Sequence, residues 1–376
     1  MPATGVALST DDTLDLWKVT LSAHDWKNRT YEYLFPRHNW IVVDEWFRKD
    51  RMEFDGGTQI EREVIYREGG SASWVHPGEV RTRSTGNVVA KITMPFCNIV
   101  MDHNMTEDEI LRNLGKARLK KLADGRRAGC MVSICDAVEN RAWELPTTEA
   151  DTKFPRGIVY YIVPITAAQR TAHASAGTNP GQHQGQNPTG FSTCMGLDAS
   201  NAIYSRWRSY NDTWTNADGE ITEDDLRKIG RMFRRLHFRA PLEASQLAQP
   251  KFRKMRGYSC ETIIDSYSAA TRRQNDNLGA NAVNYYGAGI ARNGEPTMWG
   301  MPIQWMEKLD DDATFPLDFV NHDYLYPIAQ RGKWLREDSP LRTVEQPDVF
   351  TTWVDSCFNI MCSNRQLCGG NISYPA

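Results

Sequence analysis

Apolar residues recur along the chain in two rhythms, one helical and one extended, and each rhythm predicts its own elements. The helical rhythm is strongest over residues 106–143. There Ile110, Leu111, Leu114, Ala117 and Leu122 share one face, while Met131, Ile134, Cys135, Val138 and Ala142 share a rotated one. Thr106, followed three residues later by Glu109, forms a capping box at the start. The change of face falls around Gly125 and Gly129. It predicts a kink there, two helices, or one rod of about 57 Å with different neighbours at its two ends. A second helix is predicted over 222–238, with Leu226, Ile229, Met232, Phe233 and Leu236 on one side. Its other side carries Arg227, Lys228, Arg231, Arg234 and Arg235. Near the start, Leu14, Trp17, Leu21 and Trp26 predict a short helix, followed by an irregular aromatic stretch over 31–47.

Strand propensity marks 58–67 (TQIEREVIYR) and 88–101 (VVAKITMPFCNIVM), where Ile, Val, Tyr and Phe dominate. Residues 68–87 between them are rich in Gly, Ser, Arg and Glu. Hairpin loops usually run about 2–5 residues, so a tip this long is either disordered or held by a partner. Residues 155–165 predict a buried strand, and the low-complexity segment 172–190 an exposed loop. From 259 onward the pattern is one of short strands and turns, ending in a strand-like run over 349–360. No internal repeat is visible.

Composition narrows the function. The chain has 376 residues, enough for two or three packed units. Its net charge of −3 argues against a dedicated nucleic-acid binder, which needs a basic surplus to displace counterions. The longest apolar run, 158–165, is too short to span a bilayer and Pro164 interrupts it, so no membrane partner is expected. The first twelve residues lack a basic start followed by an apolar stretch, so cytoplasmic synthesis is expected. The eight cysteines form no CxxC pair and are expected as buried, reduced thiols. The twelve tryptophans suit interfaces, although a well-packed core also uses them. Residues 12–50 in particular hold more apolar surface than so short a segment can bury on itself.

Catalytic chemistry finds no foothold. The eight histidines show no HExxH and no i, i+4 pair on a helix, and His173 and His183 fall in the expected loop. Residues 211–225 superficially resemble a calcium loop, but Trp214 would occupy the first ligand position. Asp225 is better explained as the partner of Thr222 at a helix cap. Asp310, Asp311 and Asp312 are read as solvated loop carboxylates. Phosphate-cradle motifs and a GxSxG elbow are both missing. We therefore expect no catalytic residue, metal or cofactor, and a protein that is not an enzyme. For the basic face of 222–238, a solvated surface is the leading reading. Pairing with an acidic patch on a neighbouring subunit comes second, and DNA contact third.

Several stretches, taken in order, resemble one branch of the major capsid proteins of tailed double-stranded DNA bacteriophages. They are FDGGTQI (54–60), NLGKARLKKL (113–122), IYSRWRSYNDTW (203–214) and TEDDLRKIGRMFRRLHFRAP (222–241). Further along come QNDNLGANAV (274–283), PLDFVNHDYLYP (316–327) and QPDVFTTWVDSCFNIMCSNRQ (346–366). The resemblance covers most of the chain from about residue 50. It implies an α+β, Hong Kong 97-type fold in which 1–50 is the N-terminal arm and 51–103 the E-loop hairpin with its base. The spine helix of the P-domain would occupy 104–150, the A-domain mainly 151–335 with returns to the P-domain, and C-terminal strands 336–376.

The function implied is a structural subunit that self-assembles as pentamers and hexamers into an icosahedral head around double-stranded DNA. The location implied is the virion, after assembly in the host cytoplasm. Implied partners are further copies of the chain, a separate scaffolding protein, a portal, a decoration protein and weakly contacted DNA. Expected assembly contacts are Trp17, Trp40 and Trp46 in the arm, Trp74, Glu79, Arg81 and Arg83 at the hairpin tip, and Arg227, Arg231, Arg234 and Arg235 on the basic helix. Some members cross-link through an E-loop lysine; residues 68–87 contain none and Lys91 lies at the hairpin base, so no such bond is expected. Alternatives are an encapsulin-like compartment, a tail or portal protein, and a secreted carbohydrate-binding or hydrolytic β-rich protein.

Overall fold

The computed structural model describes residues 41–46, 52–54, 56–67, 74–79, 87–112, 116–175, 182–236, 254–278, 289–290, 296–342 and 346–374. Among these residues the strands form three sheets. The first is built on the strand Val349–Cys362, buried on both faces along most of its 14 residues, with only Val349, Trp353 and Asp355 reaching the surface. It pairs antiparallel with Cys97–Thr106 over a ten-residue register, from Val349 opposite Thr106 to Phe358 opposite Cys97. Leu325–Gln330, Arg336–Glu337 and Leu341–Arg342 also pair with it, and Met52–Phe54 adds parallel to Leu325–Gln330.

The long helix Lys116–Ala142 lies against one face of this sheet. Cys130, Ile134 and Val138 pack there on Val354, Phe358 and Ala329. At 27 residues it is about 40 Å long. It runs through Gly125 and Gly129 as one element, and a short helix, Glu107–Arg112, precedes it. The expected capping box is present: Thr106 N–H donates to Glu109 Oε2 (3.1 Å) and Glu109 N–H to Thr106 Oγ1 (3.3 Å). Arg126 of the long helix then reaches back to Glu109 Oε1 at 2.5 Å, which ties the two helices together.

The second sheet has eight strands and is the core of the larger body. Leu317–Asn321 sits centrally between Met255–Ser259 and Gly369–Ser373. Both faces are covered, so all five residues of Leu317–Asn321 and of Gly369–Ser373 are buried. The helix Glu223–Leu236 seats Leu226, Ile229, Met232, Phe233 and Leu236 in that core, as its periodicity requires. Its start is fixed by Thr222 and Asp225, each accepting the other's backbone N–H.

The third sheet is the hairpin Gln59–Ile65 with Val89–Pro95, in register from Gln59 opposite Pro95 to Ile65 opposite Val89. The hairpin pairing follows the sequence pattern, but the single strand expected over 88–101 is divided at Phe96: its first part closes the hairpin and its second begins Cys97–Thr106 in the first sheet.

Three further expectations are corrected. Within 155–165 the run Ile158–Tyr161 is a buried helical turn and not a strand. An apolar run of that length has no period to distinguish the two, and the outcome is set by distant partners: Tyr161 Oη donates to the Ile360 carbonyl (2.5 Å) and Met195 N–H to Tyr160 Oη (2.9 Å). The supposed loop 172–190 contains the end of a helix, Ala167–Ser175, and a sheet-edge strand, Gln182–Gly185. A helix of 18 residues, Glu261–Leu278, stands where short strands and turns were expected. Asp310 is exposed, as expected of a loop carboxylate, and it also accepts Glu261 N–H (2.8 Å) at the start of that helix and Trp305 Nε1–H (2.7 Å).

Candidate assembly surface

The hairpin divides along its length. At its base Ile60, Ile92 and Met94 are buried in the main core, and Thr93 N–H donates to the Met195 carbonyl (3.1 Å). Arg62 bonds Tyr326 Oη, and the Tyr66 ring tilts against Tyr204 at 5.0 Å. So the lower hairpin rests on its own subunit. Beyond that support Ile65 is 69% exposed, Val75 is 50% exposed and Trp74 is fully exposed. An indole in water forfeits a large burial gain, so this end of the hairpin is what an additional surface would cover. Glu79 is also exposed and accepts His76 N–H (2.9 Å) in its own turn. Arg81 and Arg83 lie outside the described residues.

The arm behaves differently from expectation where it is described. Residues expected to be irregular include a helix, Ile41–Trp46. Trp46 is 2% exposed, sealed in its own core edge-on to His322 at 6.4 Å. It therefore has no surface left for a neighbour, and its place among the intersubunit contacts is withdrawn. Trp17 and Trp40 lie outside the described residues.

The basic helix face splits. Arg227 is exposed and paired with Glu223 (2.7 Å) and Asp224 (3.3 Å) on its own helix. Lys228 points inward, bonding Asp225 (2.9 Å), the Thr213 carbonyl (2.8 Å) and Thr215 Oγ1 (2.9 Å). That arrangement also explains residues 211–225, because both Asp225 oxygens are committed to Thr215, Thr222 and Lys228. Arg231 and Arg235 are half-buried beside Tyr210. Of the four arginines only Arg227 and Arg234 face outward.

One outward feature escaped the sequence pattern. On the face of the first sheet away from the long helix, Val100 is 57% exposed, with Trp353 and Leu341 also exposed. Trp353 lies opposite Asp102 and Asp355 opposite Val100, so Trp353 and Val100 are diagonal neighbours on one face. The signal was the run Ile99-Val100-Met101, apolar in both phases where a one-sided strand would alternate.

Buried ionisable groups are walled into the fold. Burial pushes the Asp318 carboxyl up to about 7, and its hydrogen bond from Asn371 Nδ2 (2.8 Å) offsets this only partly. Burial, aided by Arg235, lowers His183 to about 4. Seven of the eight cysteines are buried and all are free thiols. Among the described residues no group of His, Cys, Asp and Glu is placed to hold a metal ion, and no helix is long and apolar enough to cross a membrane.

No family model matches the chain, and no curated protein is similar to it in sequence. Solved structures are similar in fold. A chain of the cyanophage A-1(L) capsid asymmetric unit superposes with a TM-score of 0.59 at 12% identity, covering 92% of this chain and 96% of that one. A chain from the capsid of a native GTA particle gives a TM-score of 0.50 at 10% identity, covering 95% of this chain and 98% of that one. These likenesses, with a projecting hairpin, a long helix on one sheet and a second larger sheet, define the class: this is an α+β protein of the Hong Kong 97-type capsid fold.

Proposed function

We propose that the chain is the major capsid protein of a tailed double-stranded DNA phage, a structural subunit and not an enzyme. The observation that carries this reading is the extent of the likeness, 92% of this chain against 96% of a phage capsid chain. A separate catalytic domain has little room in such a match. In this reading the long helix and the first sheet form the P-domain, and the eight-stranded sheet forms the A-domain.

Copies associate through heterologous contacts that close into rings of five and six. The unsupported end of the hairpin, led by Trp74, lies on an adjacent subunit, with Arg81 and Arg83 facing acidic groups there. Residues Trp17 and Trp40 serve the same purpose from the arm. Single contacts can be weak, because closure makes each one effectively intramolecular and raises avidity by roughly 10²–10⁴. A scaffolding protein, portal and decoration protein are the further partners, and packaged DNA meets the shell by weak non-specific contact. Assembly takes place in the host cytoplasm.

The test is expression of the chain alone and with residues 70–86 deleted, followed by electron microscopy. Shells from the full chain and none from the deletion are expected. Normal shells from the deletion would remove the hairpin tip from the mechanism. Nucleic acid inside purified particles, as opposed to enclosed enzyme, separates a phage head from a protein compartment.

A further inference from the structure

The helix Ile41–Trp46 follows the first 40 residues in sequence and forms the root of the expected arm. Two of its backbone N–H groups are held by a side chain almost a hundred positions away. Val43 N–H donates to Glu139 Oε2 at 3.0 Å and Val42 N–H to Glu139 Oε1 at 3.4 Å, from near the C-terminal end of the long helix. Glu139 itself is buried. Around this cap Val42 and Trp46 are buried, Glu45 pairs with Arg256 at 2.6 Å, and Trp46 meets His322. The strand Met52–Phe54 begins only six residues later and is paired to Leu325–Gln330, so the root is tethered close to the sheet.

We propose that Glu139 is a proton-gated latch for the root of the arm: the segment Ile41–Trp46 docks more tightly on the subunit body when the Glu139 carboxyl is protonated than when it is ionised.

The physical basis is the mismatch between what the site offers and what a carboxylate needs. Burial raises the carboxyl to about 7, outweighing the two backbone hydrogen bonds, and Asp136 on the same helix adds repulsion. Arg256, the cation that pairs with this helix, is engaged by Glu45 at 2.6 Å. A protonated Glu139 keeps a carbonyl oxygen for the Val43 N–H and no longer carries a buried charge. The sign follows: a carboxyl raised in the docked state favours docking at low pH, and the benefit is lost as pH rises through about 7. Between pH 6 and pH 8 this weakens docking about tenfold.

Other titratable groups face the same region and must be separated from the effect. On the helix itself these are Asp44 and Glu45, on the long helix Asp136, and on the body Arg256, Lys254 and His322. Burial holds His322 down near 3, so any exposure of His322 on undocking acts in the opposite sense. All of these groups are retained in a Glu139→Gln variant, which keeps the carbonyl acceptor and removes only the titration.

The experiment is hydrogen–deuterium exchange of residues 42–46, corrected for intrinsic exchange rates, from pH 5 to pH 9 on the full chain. The ratio of wild-type to Glu139→Gln protection is expected to fall about tenfold between pH 6 and pH 8. A ratio that stays constant over that range overturns the proposal. Asp136→Asn gives an independent reading, because it removes the repulsion without touching the cap. The wild-type loss of protection is expected to move to higher pH in proportion to the repulsion, so in Asp136→Asn it must occur at lower pH. An unmoved midpoint overturns the latch even if the glutamine variant does not fold. Neither outcome bears on whether the chain forms shells, so the capsid reading stands or falls separately.

Discussion

Asp318 and Arg365 both carry an ionisable group into the interior, and the consequences are opposite. Asp318 is held by one donor, Asn371 Nδ2, within a fully buried strand. Its carboxyl is raised from 3.8 to about 7, so its contribution to stability is greatest in acid and falls as pH rises through about 7. Asp318→Asn retains an acceptor for Asn371 without the charge. The variant is expected to gain up to about 4 kcal/mol over the wild type at pH 9 and little at pH 4, measured by urea unfolding of dissociated subunits. Arg365 is the reverse case. Its guanidinium is fully buried and satisfied by three carbonyls, those of Tyr161 (2.8 Å), Trp207 (3.1 Å) and Gln186 (2.5 Å). Arg365→Met removes the donor to all three carbonyls, two of them deeply buried, and is expected to cost about 3 kcal/mol or more, seen as loss of soluble subunit or a lowered urea midpoint. Neither role was legible in the sequence. Each depends on residues 53 to 204 positions away, and a lone Asp or Arg in a strand-turn region looks like a surface residue.

Elements with a long period or a local cap were the legible ones. The helix Glu223–Leu236 carries five inward apolar residues at helical spacing, and the capping box of Thr106 and Glu109 is complete in the sequence. The helix Glu261–Leu278 failed that test. Among its described positions only Ile263 and Tyr267 are fully buried, and its N-terminal cap, Asp310, lies 49 residues away. The turn Ile158–Tyr161 failed for another reason, since four β-favouring residues are forced into a helical turn by packing. Gly157 before it leaves no room for a side chain: an added Cβ would lie 2.3 Å from the Ala142 carbonyl oxygen at the end of the long helix. Gly157→Ala must therefore push these two elements apart. Destabilisation by about 2 kcal/mol or more is expected in urea unfolding, with the largest rise in exchange at residues 158–162.

The hairpin makes the contrast between folding and assembly measurable. Trp74 is fully exposed and packs on nothing in its own subunit, so Trp74→Ser is expected to leave subunit stability within about 0.5 kcal/mol of wild type. The same change is expected to reduce the yield of particles in sedimentation. Ile60→Ser, at the buried base, is expected to impair folding itself.

At the scale of the whole molecule, the order of parts was more legible than their detail. A hairpin, a long helix and a larger mixed body follow from the pattern of apolar runs, and the structure arranges them as a two-stranded hairpin and two larger sheets with the long helix on the first. Most of the expected arm lies outside the described residues. What the pattern could not reveal is which exposed surface belongs to the subunit alone. Trp46 and Trp74 are equally apolar in the sequence, yet one is sealed in the core and the other stands in water. That distinction is created only when strands distant in the chain come together, and it places the arm's attachment inside the subunit and the hairpin's end outside it. The central claim is that this outside surface is completed by other copies of the same chain. It is tested most directly by cryo-electron microscopy of the purified, overexpressed protein. Closed shells with rings of five and six subunits, and density from a neighbour over Trp74, are the predicted result. A compact monomer at high concentration, with the hairpin end uncovered and no particles formed, would contradict it.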